Sequence, residues 1–567
     1  MSNASDFRIC PDTGLKVHKP AEALVKANAV VAVVFLLVGG LMGLLVALTR
    51  MPAVHLLPSE LFYLALTAHG ADILVVWIIF FEIALLYFTS AILLQCRLAT
   101  PKLAWAAFAL MVIGAALANY AILIGEATVM FTSYVPLKAN PFFYLGLILF
   151  AVGALIGCFI FLATLVIAKD EKTYEGSINL VTFGALVACI IAIFTIATGA
   201  VILIPTWLWS MDFIGDIDAE LYRLIWWGFG HSSQQINVSA QIAVWYAIGA
   251  LVFGAKPLSE KVSRTAFLLY LFALQLGSAH HLLSDPATSF AWRAVNTSYA
   301  MYLAVLGSMI HALTVPGAIE AAQRRKGLTN GLFEWLRKAP WSNPTFSGMF
   351  LSLVLFGFIG GTTGVTMSVQ QINMIVHNTI FVPGHFHGTV AVGTTLAFMA
   401  LTYWLLPVLW RRELFAPKLA QWSTWLFGIG MGGLAIFHIA AGHLGVARRH
   451  WDMTFSDAAM QFGYGDTVHL IMGLAGIFAI IGSLGALFYI LVAVGTILMG
   501  KKRSDTAPAT TSEEGVEAAT SYGSAVPEHG KGWECPGSLV FVGVFLVFLM
   551  VYYFANWKYL STVWGVS

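Results

Sequence analysis

"FVPGHFHG", residues 381–388, sets His385 and His387 two positions apart inside a long apolar stretch. Imidazole is costly to desolvate, so two of them in a membrane-buried segment call for a reason. On an α-helix each residue turns by about 100°, so residues i and i+2 differ by about 200° and stand on nearly opposite faces. Two ligands for one ion would share a face, at i and i+3 or i+4. The pair therefore reads as ligands for two different objects, one on each side of a single helix.

The surrounding chain has 567 residues, 59% hydrophobic and 10% charged, with a mean hydropathy of +0.82. That balance excludes a soluble globule and indicates an all-α polytopic membrane protein. Thirteen apolar segments are long enough to span: about 27–49, 67–95, 104–131, 142–168, 180–204, 222–253, 264–283, 293–317, 346–374, 375–410, 420–446, 464–499 and 538–556. The expected organisation is a cytoplasmic N-terminal segment (1–26), a twelve-helix core (27–500), a flexible cytoplasmic linker (501–533) and a C-terminal membrane helix (534–567). The linker assignment rests on polar, Ser-, Thr-, Ala- and Gly-rich composition. Residues 1–26 lack the apolar core of a cleavable signal peptide, so the first helix reads as a retained signal anchor.

Most of the 30 lysines and arginines fall in the N-terminus and the even-numbered loops, as in "EAAQRRKG" and "GKKRSD". This places the N-terminus in the cytoplasm and the C-terminus outside. The net charge of +2 is then no sign of nucleic-acid binding. Five cysteines form no CxxC motif and no disulfide framework.

With that topology His69, His231, His280, His281, His385 and His387 all fall at comparable depth in the outer half of the membrane. A single membrane histidine is ordinarily a hydrogen-bonded core residue, but chance placement would scatter six of them. Haem iron takes one or two axial histidines, and non-haem copper or iron is readily held by three. Six divides as His69 and His387 clamping one six-coordinate low-spin haem, His385 holding a second, high-spin haem, and His231, His280 and His281 holding a third metal opposite that haem.

The motifs "HG" at 69–70, "WWGFGH" at 226–231, "HHLLSDP" at 280–286 and "VHNTIFVPGHFHG" at 376–388 resemble the catalytic subunit I of the haem–copper oxidase superfamily. "GEATVMFTSYVPLK" (125–138), "LRKAPWSNP" (336–344) and "GVARRH" (445–450) are similar to its B family, the ba-type oxidases. The resemblance covers about residues 20–500. It implies the subunit I fold and the ligand roles just given. It also implies that Arg448 and Arg449 pair with haem propionates, for which a guanidinium fork is suited. His377 and Asn373 occupy the family's positions beside the propionates of the active-site haem. His443 is expected to help seat a haem edge, and His311, His438 and His469 read as core histidines. Glu126 and Glu82 are expected mid-membrane, Glu126 in a mainly structural role.

The chain departs from the oxygen-reducing members at the metal site. Their tyrosine four residues after the helix-six histidine is replaced here by Gln235, on the same helix face as His231. An amide cannot give up an electron and a proton as a phenol can. A subgroup of oxidases supplies the tyrosine from helix seven, but the corresponding residue is Leu274, with Tyr270 one turn back. The resemblance also implies a cytoplasmic chain of Tyr, Ser and Thr. Its matching positions here are Gln235, Ile242, Gly307 and Ile310, with only Tyr246 kept, so proton uptake from the cytoplasm is expected to be absent and the enzyme non-pumping. Asn373 stands where those oxidases have an aspartate.

These departures match nitric oxide reductases, which join two NO into N2O and water with two electrons and two protons and need no tyrosyl donor. The glutamate of the cytochrome-c-linked reductases is absent, and three imidazoles without it favour copper over iron. Two readings stand beside this one: a B-family terminal oxygen reductase with an atypical site, and a non-catalytic haem-binding sensor. Two haems are expected, b-type by preference, although the same ligands bind other types. The chain carries no CxxCH and no cupredoxin sequence. Electrons are therefore expected from a membrane-anchored cupredoxin-like subunit II, fed by cytochrome c or a small copper protein, or from quinol. The expected location is a bacterial or archaeal cytoplasmic membrane.

Overall fold

The computed structural model describes residues 6–274, 280–286, 288–456, 458–504, 511–525 and 535–563. Helices dominate, and the described residues hold one two-stranded sheet, Phe7–Ile9 paired antiparallel with Lys16–His18. The membrane helices are α1 (Lys19–Arg50), α2 (Ser59–Ile92), α3 (Pro101–Leu123), α4 (Pro141–Asp170), α5 (Leu180–Ser210) and α6 (Ala219–Phe253). After α7 (Glu260–Leu269), continued by a π-helix over Tyr270–Leu274, come α8 (Phe290–Arg325), α9 (Pro344–Met367), α10 (Phe381–Leu409), α11 (Pro417–His443) and α12 (Asp466–Met499). Twelve spans of crossing length are present among the described residues. The expected seventh span, 264–283, includes residues 275–279, which lie outside the described set.

Local chemistry sets the helix starts. Asn140, Asn179 and Asp218 each accept a backbone N–H of the first turn of α4, α5 and α6, and Pro141 follows the first of these caps. The expected junction near 374 is corrected. α9 ends at Met367, a short helix Gln370–Val376 follows, and α10 begins only at Phe381. The reason lies in the polar residues between, Gln370, Gln371, Asn373, His377 and Asn378. Their backbone and side chains need partners that a continuous spanning helix in hydrocarbon would not supply.

The stretch expected to be a flexible linker also differs. Within it Ser512 caps α13 (Glu513–Thr520), and Ala518 and Ala519 are buried. Trp404 Nε1 donates to Thr511 Oγ1 at 2.8 Å, and Lys256 pairs with Glu517 at 2.7 Å. Small apolar residues on one face of a short helix suffice to dock it, which average composition does not reveal. The last helix, α14 (Pro536–Val563), is almost wholly exposed and packs at the edge of the bundle.

α10 is the central span, with its most apolar stretch wholly buried. Small residues let neighbours approach closely, as membrane packing requires. A Cβ on Gly384 would stand 2.9 Å from Ala435 O of α11, and one on Gly360 of α9 would stand 2.7 Å from Gly388 O of α10. The α11–α12 contact is tighter still, with Gly430 Cβ 2.1 Å from Gly482 N. Gly430→Val should therefore lower stability by about 1–3 kcal/mol through overpacking. Thermal unfolding of the detergent-solubilised protein checks this, and an unchanged midpoint would show that the two helices can separate freely.

Candidate haem and metal site

The six histidines converge in the structure. His69 on α2 and His387 on α10 face each other with ring centroids 6.3 Å apart and planes within 14°. Two imidazoles pointing at one ion from opposite sides, with ligand bonds of about 2 Å, stand about 6 Å apart between ring centres. Each ring is held from behind: His69 Nδ1 lies 2.9 Å from Gly39 O, and His387 Nδ1 lies 2.7 Å from Pro383 O. A carbonyl can only accept, so Nδ1 carries the proton and the Nε2 lone pair is left for an ion. Gly43 makes room for the His69 ring, since a Cβ there would stand 2.5 Å from its Nδ1.

His385 uses the same arrangement on the other side of α10. Its Nδ1 lies 3.0 Å from Thr363 Oγ1 of α9. The α10 helix changes to π geometry at His387, so the angle between the two histidines departs from the ideal, but each still meets a different neighbour. Phe386 sits between them in sequence and lies 6.3 Å from the His281 ring.

His231, His280 and His281 form the one histidine, cysteine or carboxylate cluster of metal-binding geometry among the described residues. Their ligand atoms all lie within 4.8 Å of one another. His231 Nδ1 and His281 Nε2 are 3.0 Å apart. Trp227, not foreseen from the sequence, stacks on His281 at 3.7 Å and 6° and fixes that ring. Its signal was the "WWGFGH" stretch, where Trp227 precedes His231 by one turn. Asn373 donates to Met367 O at 2.7 Å and to His280 O at 3.3 Å. It therefore braces the backbone of a cluster histidine.

One cavity of about 210 Å³ is lined by His231, His280, His281, His385, Gln235 and Gly364. The three-histidine cluster and His385 thus open on one space. Gly364 keeps it open beside His385, whose Cε1 would stand 3.0 Å from a Cβ there. Gln235 is buried in this wall.

At the outer end, Arg448 Nε is buried without a hydrogen-bond partner. Burial and the adjacent Arg449 push the Arg448 guanidinium down to about 9. Arg449 lies 5.1 Å over the Tyr134 ring. Burial, then Arg448, also pushes His377 down to about 4. The nearby Asp285 is already paired with Arg223 at 2.8 Å. Two guanidiniums are thus gathered without a carboxylate between them among the described residues, an arrangement that fits the carboxylates of a haem.

His443 Nε2 meets Asn556 Oδ1 of α14 at 2.6 Å. One expectation fails here. Glu126 is exposed in the loop after α3, outside the membrane core. The cytoplasmic polar residues lie in two hydrogen-bonded groups. Tyr246 OH lies 3.0 Å from Ser263 Oγ, 3.0 Å from His311 Nδ1 and 2.6 Å from Thr314 Oγ1. Tyr270 OH donates to Ser308 Oγ at 3.1 Å, and both of these residues line the cavity. Side chains outside the compared positions supply hydroxyls where Ile242, Gly307 and Ile310 supply none.

Residues 23–480 match the family described as cytochrome c and quinol oxidase polypeptide I. The chain is 30% identical over 448 residues to cytochrome c oxidase subunit 1 of Thermus thermophilus, covering 77% of this chain and 78% of that protein. It is 23% identical to quinol oxidase subunit 1 of Bacillus subtilis, covering 78% of this chain and 68% of that one. Among solved structures, a haem–copper terminal oxidase determined by electron cryo-microscopy superposes with a TM-score of 0.81 at 25% identity, covering 94% of this chain and 92% of that one.

The division of ligands leads to two measurements. His387→Ala should abolish the six-coordinate low-spin haem spectrum and leave the other haem largely assembled, with His385→Ala doing the reverse. Loss of the same haem in both variants would refute the division. Replacing His231, His280 or His281 singly with Ala should lower non-haem metal content and abolish turnover while both haems remain in the optical spectrum. A fully active single variant would remove that residue from the metal set.

Proposed function

We infer that this chain, which belongs to the cytochrome c and quinol oxidase polypeptide I family, is the catalytic subunit of a membrane nitric oxide reductase. The reaction is 2 NO + 2 electrons + 2 protons to N2O and water. The observation that carries the reading is Gln235, buried in the cavity wall four residues after His231. Cleaving O2 calls for a donor of an electron and a proton at the metal site, and an amide supplies neither. Coupling two NO molecules makes no such demand.

The chain's part is to position and to exclude water. His385 would hold one haem, His69 and His387 the other, and His231, His280 and His281 the non-haem metal, with copper favoured for three imidazoles without a carboxylate. When bound, the two metals facing the cavity supply an open coordination position for each NO. Thr363 fixes the His385 ring, Trp227 fixes His281 and Asn373 braces His280. The apolar wall keeps the site dry, and Arg448 and Arg449 would neutralise haem carboxylates at its outer rim.

With no CxxCH and no cupredoxin stretch in the sequence, this reading has electrons come from a partner: a membrane-anchored cupredoxin-like subunit fed by cytochrome c or a small copper protein, or quinol. The distribution of basic residues supports a cytoplasmic N-terminus in a bacterial or archaeal cytoplasmic membrane.

Tyr270 favours a second reading. It is a phenol lining the same cavity, and an oxygen reductase could draw on it. Purified enzyme with its donor should convert NO to N2O and consume O2 at least about tenfold more slowly. Oxygen consumption equal to the NO rate, and lost in Tyr270→Phe, would establish the second reading instead.

A further inference from the structure

α1 ends on a buried cation. Arg50, its last residue, is only 7% exposed, and no carboxylate pairs with it among the described residues. An arginine in a last turn ordinarily turns its head to the carbonyls of its own helix. This one reaches away. One guanidinium nitrogen donates to Ala447 O at 2.8 Å, and the other donates to His450 O. Its Nε is buried without a hydrogen-bond partner. The nearby acid Asp452 is already engaged, accepting from Thr454 and Ser456. Burying an uncompensated charge is costly, and an apolar residue would close α1 at less cost.

The two carbonyls that Arg50 holds stand on either side of Arg448 and Arg449. That turn needs holding. Arg449 has a φ of +66°, a left-handed conformation that costs a residue with a side chain free energy and persists only where its surroundings impose it. On one side the turn is fastened to the residues that precede α10. Arg448 N donates to Asn378 O at 2.9 Å, and Ile380 N donates to Val446 O at 2.7 Å. On the other side it is fastened to α1 by Arg50.

α1 also serves the ligand His69. Gly39 O accepts from His69 Nδ1, and Gly43 gives the ring its room. Gly39 and Arg50 lie about 16 Å apart along the helix. On α11, the His438 ring lies 5.8 Å from that of His387, and Arg50 stands near enough for its charge to act on His438. The middle of α1 thus orients one axial ligand, and its end holds the arginine turn beside the same histidine pair.

We propose that Arg50 is a positioning residue for the haem assigned to His69 and His387: it fixes the turn that presents Arg448 and Arg449 to that haem's carboxylates, and through them it sets the haem's reduction potential. An unpaired carboxylate leaves negative charge beside the iron and disfavours the uptake of an electron. A guanidinium fork on that carboxylate removes the penalty. The inference rests on the assignment of His69 and His387 to one haem, and it holds whichever substrate is reduced.

The test is an optical redox titration of the purified holoenzyme, which follows the two haems separately. Arg50→Met should lower the reduced-to-oxidised ratio of the low-spin haem at a fixed potential at least tenfold, a shift of about 59 mV for one electron. The high-spin haem should move less than half as far. Arg50→Lys keeps the charge but cannot fork between two carbonyls, so it should shift the low-spin haem nearly as far. It also decides the matter alone should Arg50→Met not retain haem. In an Arg448→Met, Arg449→Met background the Arg50→Met shift should at least halve, because a residue that acts through the turn has nothing left to position. An unmoved potential in Arg50→Met, wild-type behaviour in Arg50→Lys, or an undiminished shift in that background would each overturn the proposal. A wild-type enzyme without a low-spin haem would overturn the ligand assignment and this inference together. A low-spin haem indifferent to Arg50 would overturn this inference alone.

Discussion

A neutral imidazole inside a membrane has two nitrogens to satisfy, and the site depends on how this chain occupies the first of them. His69 and His387 each turn Nδ1 to a backbone carbonyl, and His385 turns it to Thr363. That leaves one lone pair per ring, directed away from the anchoring atom. Without the anchors the rings would have no fixed tautomer. With them, the ligand sets are oriented before any ion or haem arrives, and little ordering remains for the binding step. The glycines serve the same constraint. Gly43 accepts the His69 ring, Gly364 leaves space beside His385, and Gly360 lets α9 and α10 touch backbone to backbone so that Thr363 reaches His385.

α10 is where these demands meet. It carries His385 and His387, the residues proposed to hold two haems, and packs against α9 and α11. Its π segment, His387–Thr395, begins at one of the ligands. The extra residue per turn re-aims side chains along the helix, a device frequent at functional sites. α2 carries a π segment immediately after His69, at Asp72–Trp77. The two helices whose histidines face each other are thus both locally unwound near that histidine.

Much of this was legible in the sequence. Spans such as 180–204 and 464–499 follow from apolar length alone. The opposite-face argument for His385 and His387 needs only helix geometry. The convergence of His231 with His280 and His281 follows from equal depth. What was not legible depended on contacts between distant residues. Trp227 is one more aromatic in an aromatic-rich chain until it is seen stacked on His281. α13 hides within a stretch whose average composition is that of a linker. The break between α9 and α10 was misplaced because hydropathy averages over the polar residues 370–378.

Protons show what reading position by position leaves out. Reading position by position, Ile242, Gly307 and Ile310 each remove a hydroxyl, and the chain from the cytoplasm looks cut. In three dimensions Tyr270 lies beside Gly307, and the His311 ring that bonds Tyr246 stacks 5.6 Å from the Tyr270 ring. A substitution that deletes a group at one position can admit a group from another helix, and a one-dimensional comparison cannot register that exchange. The central claim remains the division of six histidines into three sites, two of them facing one cavity. Electron paramagnetic resonance of the oxidised holoenzyme tests it most directly. The account predicts a low-spin haem signal integrating to one spin per chain and a high-spin haem signal suppressed by magnetic coupling to the metal held by His231, His280 and His281. A high-spin haem signal at full, uncoupled intensity in metal-replete enzyme would contradict it.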